Sequence, residues 1–149
     1  MSLEQRINTD LKTAMLAKDE AGLRALRAVK SAILLAKTEK TGSEDLAPET
    51  ELKLLQKLVK QRRESLEIYQ QQGREDLAKV EREELEIIRK YLPQQMSQEE
   101  LEARLRSIIE ATGATSMKDM GKVIGTANKE LAGKAEGKVI AETVKRLLV

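Results

Sequence analysis

Tyr91-Leu92-Pro93-Gln94-Gln95-Met96-Ser97-Gln98-Glu99-Glu100-Leu101 divides the chain into two helical parts. Proline disfavours helix at the residue before it, so the apolar pattern reaching Tyr91 and Leu92 must break at Pro93. Just beyond, Ser97 followed by Glu100 makes a capping box, which marks a new helix start. The expected domains are residues 1–93 and 94–149.

Working back from Pro93, Arg74 to Leu92 carries Leu77, Val80, Leu85, Ile88 and Tyr91 or Leu92 at helical spacing. Gly73 suits the left-handed residue that ends the preceding helix, Glu49 to Gln72, whose apolar side holds Leu52, Leu55, Leu58, Val59, Leu66 and Tyr69. Leu55, Val59 and Leu66 set against Leu77, Val80, Leu85 and Ile88 predict an antiparallel hairpin. Pro48 fits a first helical turn. Gly42 to Ala47 reads as a loop, and a helix capped by Asp19 runs up to Thr41-Gly42 with Leu23, Leu26, Val29, Ile33 and Leu34. The first helix starts at a Ser2/Gln5 capping box and runs to about Lys18.

Working forward, Leu101, Leu105, Ile108 and Ile109 define a helix stopped by Gly113. Ser116-Met117-Lys118-Asp119 repeats the Ser-x-x-acid pattern and opens a helix to about Leu131. Gly133 stops that one, and Gly137 to Leu148 supplies the last. The expected fold is all-α: a bundle of about four helices joined to a smaller three-helix domain.

Composition excludes much chemistry. Among 149 residues there is no Cys and no His, so thiolate chemistry, disulfides, the usual neutral-pH base and the commonest zinc ligand are absent. No Gly-x-Ser-x-Gly elbow or Ser-x-x-Lys pattern occurs. Glu81, Glu83, Glu84 and Glu86 alternate with Lys79, Arg82, Arg89 and Lys90, which reads as a solvated helix face rather than a catalytic pair. Lys57, Lys60, Arg62 and Arg63 could contact phosphates, but Glu64 and Glu67 neutralise them within a turn and a solvated face is the simpler reading. We expect no catalytic residues, metal or cofactor. With no signal-peptide core and no stretch long enough to span a bilayer, the expectation is a cytoplasmic protein with no membrane role.

The segment from Ser116 to Lys145 stands apart. Gly121 and Gly125 lie inside a helix, where each costs about 0.5–1 kcal/mol relative to Ala. Small residues at i and i+4 serve close approach, either by another helix, the commoner case, or by a phosphate backbone. Lys118, Lys122, Lys129, Lys134, Lys138, Lys145 and Arg146 outnumber Asp119, Glu130, Glu136 and Glu142. The loop Gly133-Lys134-Ala135-Glu136-Gly137 ends at a helix N-terminus, whose free N–H groups suit a phosphate.

Two stretches carry a resemblance. One is Tyr91 to Leu101, quoted above, preceded by Arg74-Glu75-Asp76-Leu77 and Glu83-Glu84-Leu85; the other is Asp119-Met120-Gly121-Lys122-Val123-Ile124-Gly125, continuing through Gly133-Lys134-Ala135-Glu136-Gly137 to Lys145. Together they resemble the bacterial YqeY family over essentially the whole chain. The second is also similar to the tail of GatB, the B subunit of the tRNA-dependent amidotransferase.

That resemblance implies a helical tail contacting the body of a tRNA, away from the chemistry. Any label of glutamine-dependent carbon–nitrogen ligase would describe the relative, whose catalytic domains this sequence lacks. Lys118, Lys122, Lys134 and Lys138 are the expected phosphate contacts, with Gly121, Gly125 and Gly133 shaping the backbone. The expected partners are tRNA and an aminoacyl-tRNA synthetase or amidotransferase. The only aromatics, Tyr69 and Tyr91, lie outside the tail, which disfavours stacking on single strands and favours folded RNA. The alternative is a protein–protein adaptor built on the N-terminal helices, with no RNA role.

Overall fold

A computed structural model describes residues 1–39 and 45–149. Its helices are α1 (Leu3–Ala17), α2 (Glu20–Glu39), α3 (Pro48–Gln71), α4 (Glu75–Arg89), α5 (Gln98–Thr112), α6 (Met120–Glu130) and α7 (Gly137–Leu148), with a 3₁₀ turn at Met117–Asp119. Among the described residues there is no strand, and the all-α class holds. The expected end of α2 at Thr41-Gly42 and the start of the following loop lie outside the described residues. The chain forms two compact units, Met1–Leu92 and Pro93–Val149.

Unit 1 is built from two helical hairpins, α1–α2 and α3–α4, with α2 also packed on α4. Helical spacing brings Leu3 and Ile7 of α1, Ala25, Leu26, Val29 and Ile33 of α2, Leu55 and Val59 of α3, and Leu85 and Ile88 of α4 into one core. Ile7, Ile33 and Ile88 are fully buried, and each such side chain contributes about 1.5–3 kcal/mol. The hairpin expectation needs one change. Leu77 and Val80 are only half-buried, while Ala78, Leu85 and Ile88, spaced i, i+7, i+10, form the inward stripe of α4.

The helix ends follow their capping chemistry. Ser2 and Gln5 form the reciprocal capping box of α1. α1 closes on Lys18 in the left-handed region at φ 55°, and the Asp19 carboxylate then accepts from the Gly22 N–H at 3.0 Å to cap α2. A Cβ at Gly22 would collide with that carboxylate, so the glycine makes room for the cap. Gly73 at φ 69° ends α3, and the Arg74 N–H returns to the Tyr69 carbonyl at 2.8 Å.

In unit 2, Leu101, Leu105 and Ile108 of α5 pack on Val123 and Ala127 of α6 and on Ile140 and Val144 of α7. The Ser97 hydroxyl accepts from the Glu100 N–H at 3.1 Å, and Gly113 at φ 70° closes α5. The Ser116 cap is a correction. Its side chain makes no capping bond; instead Asp119 accepts from the Thr115 N–H at 3.1 Å, and the chain makes a 3₁₀ turn before α6 begins.

Candidate nucleic-acid interface

α6 buries Val123 and Ala127, and its helical period sends Gly121, Lys122, Gly125, Asn128 and Lys129 to the exposed side. A Cβ placed on Gly121 or Gly125 meets nothing within 4 Å. Among the described residues of unit 2 no helix therefore crosses at those glycines, which removes the support for an internal-packing role within that unit. They leave bare helix backbone open to solvent, where alanine would be favoured by propensity alone.

Lys118, Lys122, Gly125 and Lys129 recur at i, i+4, i+7 and i+11 along this face. Lys134 lies in the turn after α6 and Lys138 in the first turn of α7, both exposed. The expected site residues thus fall into two groups, one along α6 and one beyond its C-terminal end. With a rise of about 1.5 Å per residue, Lys122 and Glu130 stand roughly 12 Å apart along the axis.

Two acids of unit 2 are drawn into other partnerships. Glu130 pairs with Arg104 of α5 at 3.4 Å. Glu102 pairs with Arg146, whose guanidinium holds that carboxyl below the usual glutamate range, so Arg146 is committed to α5. Among the described residues, no ion pair engages Lys118, Lys122, Lys129, Lys134 or Lys138. These lysines stay exposed and make the face locally positive.

Gly133 has a different place from Gly121 and Gly125. It is buried, sits at φ 78°, and its carbonyl accepts from the Gln95 amide at 2.6 Å. Beside it, the Met96 N–H donates to the Lys134 carbonyl at 2.9 Å. The turn that bears Lys134 is thus tied to the segment that opens unit 2. Glu136 precedes α7 without a side-chain cap, and no acid lies in the first turn of that helix.

Sequence reasoning missed a second cluster, in unit 1. Glu84 is not solvated: it is 8% exposed and lies 3.7 Å from both Arg62 of α3 and Arg24 of α2. Arg24 also reaches Glu83 at 3.4 Å. Arg62 donates to the Leu58 carbonyl at 3.3 Å, while its buried Nε has no partner. Burial, reinforced by the Glu84 charge, raises the neighbouring Glu81 carboxyl above its ordinary value. Helical period marks position 84 as inward, since it lies four residues before the fully buried Ile88. Its neighbours in sequence hide this, because three further glutamates surround it.

Two helical units, the second a three-helix tail with exposed lysines, define the class: an all-α protein. The chain belongs to the YqeY family, matching the Yqey-like protein description over residues 4–148. It is similar to three proteins named "Altered inheritance of mitochondria protein 41, mitochondrial". That of Clavispora lusitaniae is 34% identical over 88% of this chain and 77% of its own length. Those of Lachancea thermotolerans and Vanderwaltozyma polyspora are each 33% identical, over 69% and 76% of this chain and 56% and 64% of their own lengths.

These relatives correct two expectations. They are named as mitochondrial proteins, which overturns the cytoplasmic placement. They are also eukaryotic, so the family is not confined to bacteria. Among the described residues no helix is long and apolar enough to cross a membrane.

Proposed function

We propose that the chain is a tRNA-binding helical module, an accessory to tRNA aminoacylation or amidation without turnover of its own. One observation carries the reading: the open backbone at Gly121 and Gly125, flanked by exposed lysines that form no ion pair among the described residues. Bare backbone with cationic borders suits a phosphate chain, which needs close approach and positive charge but no aromatic platform. The choice of tRNA rests on the likeness of Asp119 to Lys145 to the GatB tail. An aminoacyl-tRNA synthetase or amidotransferase is the proposed protein partner.

Retention of labelled tRNA by the purified protein, against a single-stranded RNA of equal length, tests the proposal. Organellar and total tRNA are run as separate arms, because the relatives' names point to mitochondria. Preferential retention of tRNA supports the reading, and equal or absent retention contradicts it. Glutaminase and amidation assays are expected to be blank.

The adaptor reading draws on Leu34 and Leu35 of α2 and Ile68 of α3, which are exposed. Leu34 and Leu35 are sequence neighbours that diverge around the helix, and Ile68 is a single residue. They do not form the i, i+3, i+4, i+7 stripe that a helical partner reads, so this is the lesser reading.

A further inference from the structure

We infer that Gln95 is a positioning residue for the basic end of unit 2, an inference that rests on the RNA reading above. Gln95 stands in the segment that opens unit 2, 38 residues before the turn it contacts. Its Nε2 donates to the Gly133 carbonyl at 2.6 Å and to the Pro93 carbonyl at 2.9 Å. The following Met96 N–H donates to the Lys134 carbonyl at 2.9 Å. Two successive residues of the opening segment thus hold two successive carbonyls of the α6–α7 turn.

Within that turn the Lys134 and Ala135 N–H groups both return to the Leu131 carbonyl, at 2.9 and 3.3 Å. That pair closes the end of α6 but leaves the outer carbonyls to other donors. Gln95 and Met96 supply them. Gly133 needs its left-handed φ to aim its carbonyl at Gln95, and an L side chain at that φ would be strained. The tie therefore fixes the path of the backbone between α6 and α7. Lys134 rides on this path, and Lys138 follows it in the first turn of α7.

Gln95 is uncharged and spends its amide hydrogens on two carbonyls, so it neutralises no phosphate itself. Its effect on RNA passes through where Lys134 and Lys138 stand. Loss of a phosphate contact lowers both affinity and the steepness of salt dependence, whereas loss of positioning lowers affinity while every lysine remains. The two mechanisms therefore separate experimentally.

The test uses the full chain with Gln95→Met, which keeps the side-chain length and removes the donor. tRNA binding is measured across a salt series, with Lys134→Gln as the charge-loss control. Thermal unfolding and amide exchange at Lys134 and Ala135 are followed in parallel. The expected result is binding weakened about three- to tenfold, the scale of one neutral hydrogen bond. The salt slope should match wild type, exchange at Lys134 and Ala135 should quicken, and the unfolding midpoint should stay close to wild type. Should Gln95→Met lose helical signal, Gln95→Ala replaces it, removing the donor without adding charge. Wild-type affinity in a folded variant overturns the positioning role and leaves the RNA reading standing. A wild-type protein that binds no tRNA overturns the RNA reading, and the inference with it.

Discussion

The Tyr91 hydroxyl donates to the Asp10 carboxylate, fastening the turn after α4 to the middle of α1. The Arg6 guanidinium lies over the same ring, 5.0 Å from its centre. Burial, then the bond to Asp10 and its charge, push the phenol well above its ordinary 10.0. A pKa raised on folding gives stability that is fully present below the unfolded value and lost as pH rises through the folded one. In a Tyr69→Phe variant Tyr91 is the only phenol left, so absorbance titration reads it alone. Its midpoint should lie clearly above 10.0, and a midpoint at or below that value would remove the lock.

Glu84 sets up a second test. Glu84→Ala leaves Arg62 and Arg24 without their shared carboxylate and should destabilise unit 1 by about 1–3 kcal/mol. The exposed Arg74–Asp76 pair is the contrast: Asp76→Ala should shift the urea midpoint far less than Glu84→Ala. Both tyrosines lie in unit 1, so tyrosine fluorescence in urea follows that unit alone. Equal effects of the two substitutions would show that Glu84 is no more than a surface charge.

Much of the fold is legible because its signals are local. Ser97 with Glu100, Gly73 and Gly113 each announce a helix end within a few residues, and the structure uses all three. The aliphatic period of α3 and α4 likewise gives their hairpin, apart from the substitution of Ala78 for Leu77 and Val80 as an inward residue. What stays hidden depends on partners far along the chain. Glu84 looks like its neighbouring glutamates until α2 and α3 bring Arg24 and Arg62 to it. Gln95 looks like a linker residue until Gly133 arrives. For the candidate site, the excess of lysines is visible in the sequence, but the openness of Gly121 and Gly125 is not. The same i, i+4 pattern serves a helix crossing equally well.

Those glycines give a prediction with two signs. Gly121→Ala and Gly125→Ala place a methyl group in open space on an existing helix, so each should stabilise unit 2 by about 0.5–1 kcal/mol. The same methyls should obstruct approach of a phosphate backbone and weaken tRNA binding. Far-UV circular dichroism in urea and filter binding measure the two effects. Stabilisation with unchanged binding would mean that the bare backbone serves no ligand.

Glu102 and Arg146 predict the acid limb of unit 2. The Arg146 hydrogen bond, then that from Gln98, hold the Glu102 carboxyl below 4.5, so their stabilisation is present above that pH. It is lost as pH falls through the lower folded value. Arg146→Ala should therefore lower the unfolding midpoint at neutral pH and make it less sensitive to acid. An acid limb identical to wild type would place the pair outside the folding linkage.

The central claim is that the lysines around α6 hold tRNA. Filter binding of tRNA over a salt series, comparing wild type with a Lys122→Glu, Lys134→Glu and Lys138→Glu triple variant, tests it most directly. The account predicts at least a tenfold loss of affinity at low salt and a salt slope shallower by about 1 for each lysine that contacts phosphate. Equal affinity and equal slope for the two proteins would contradict it.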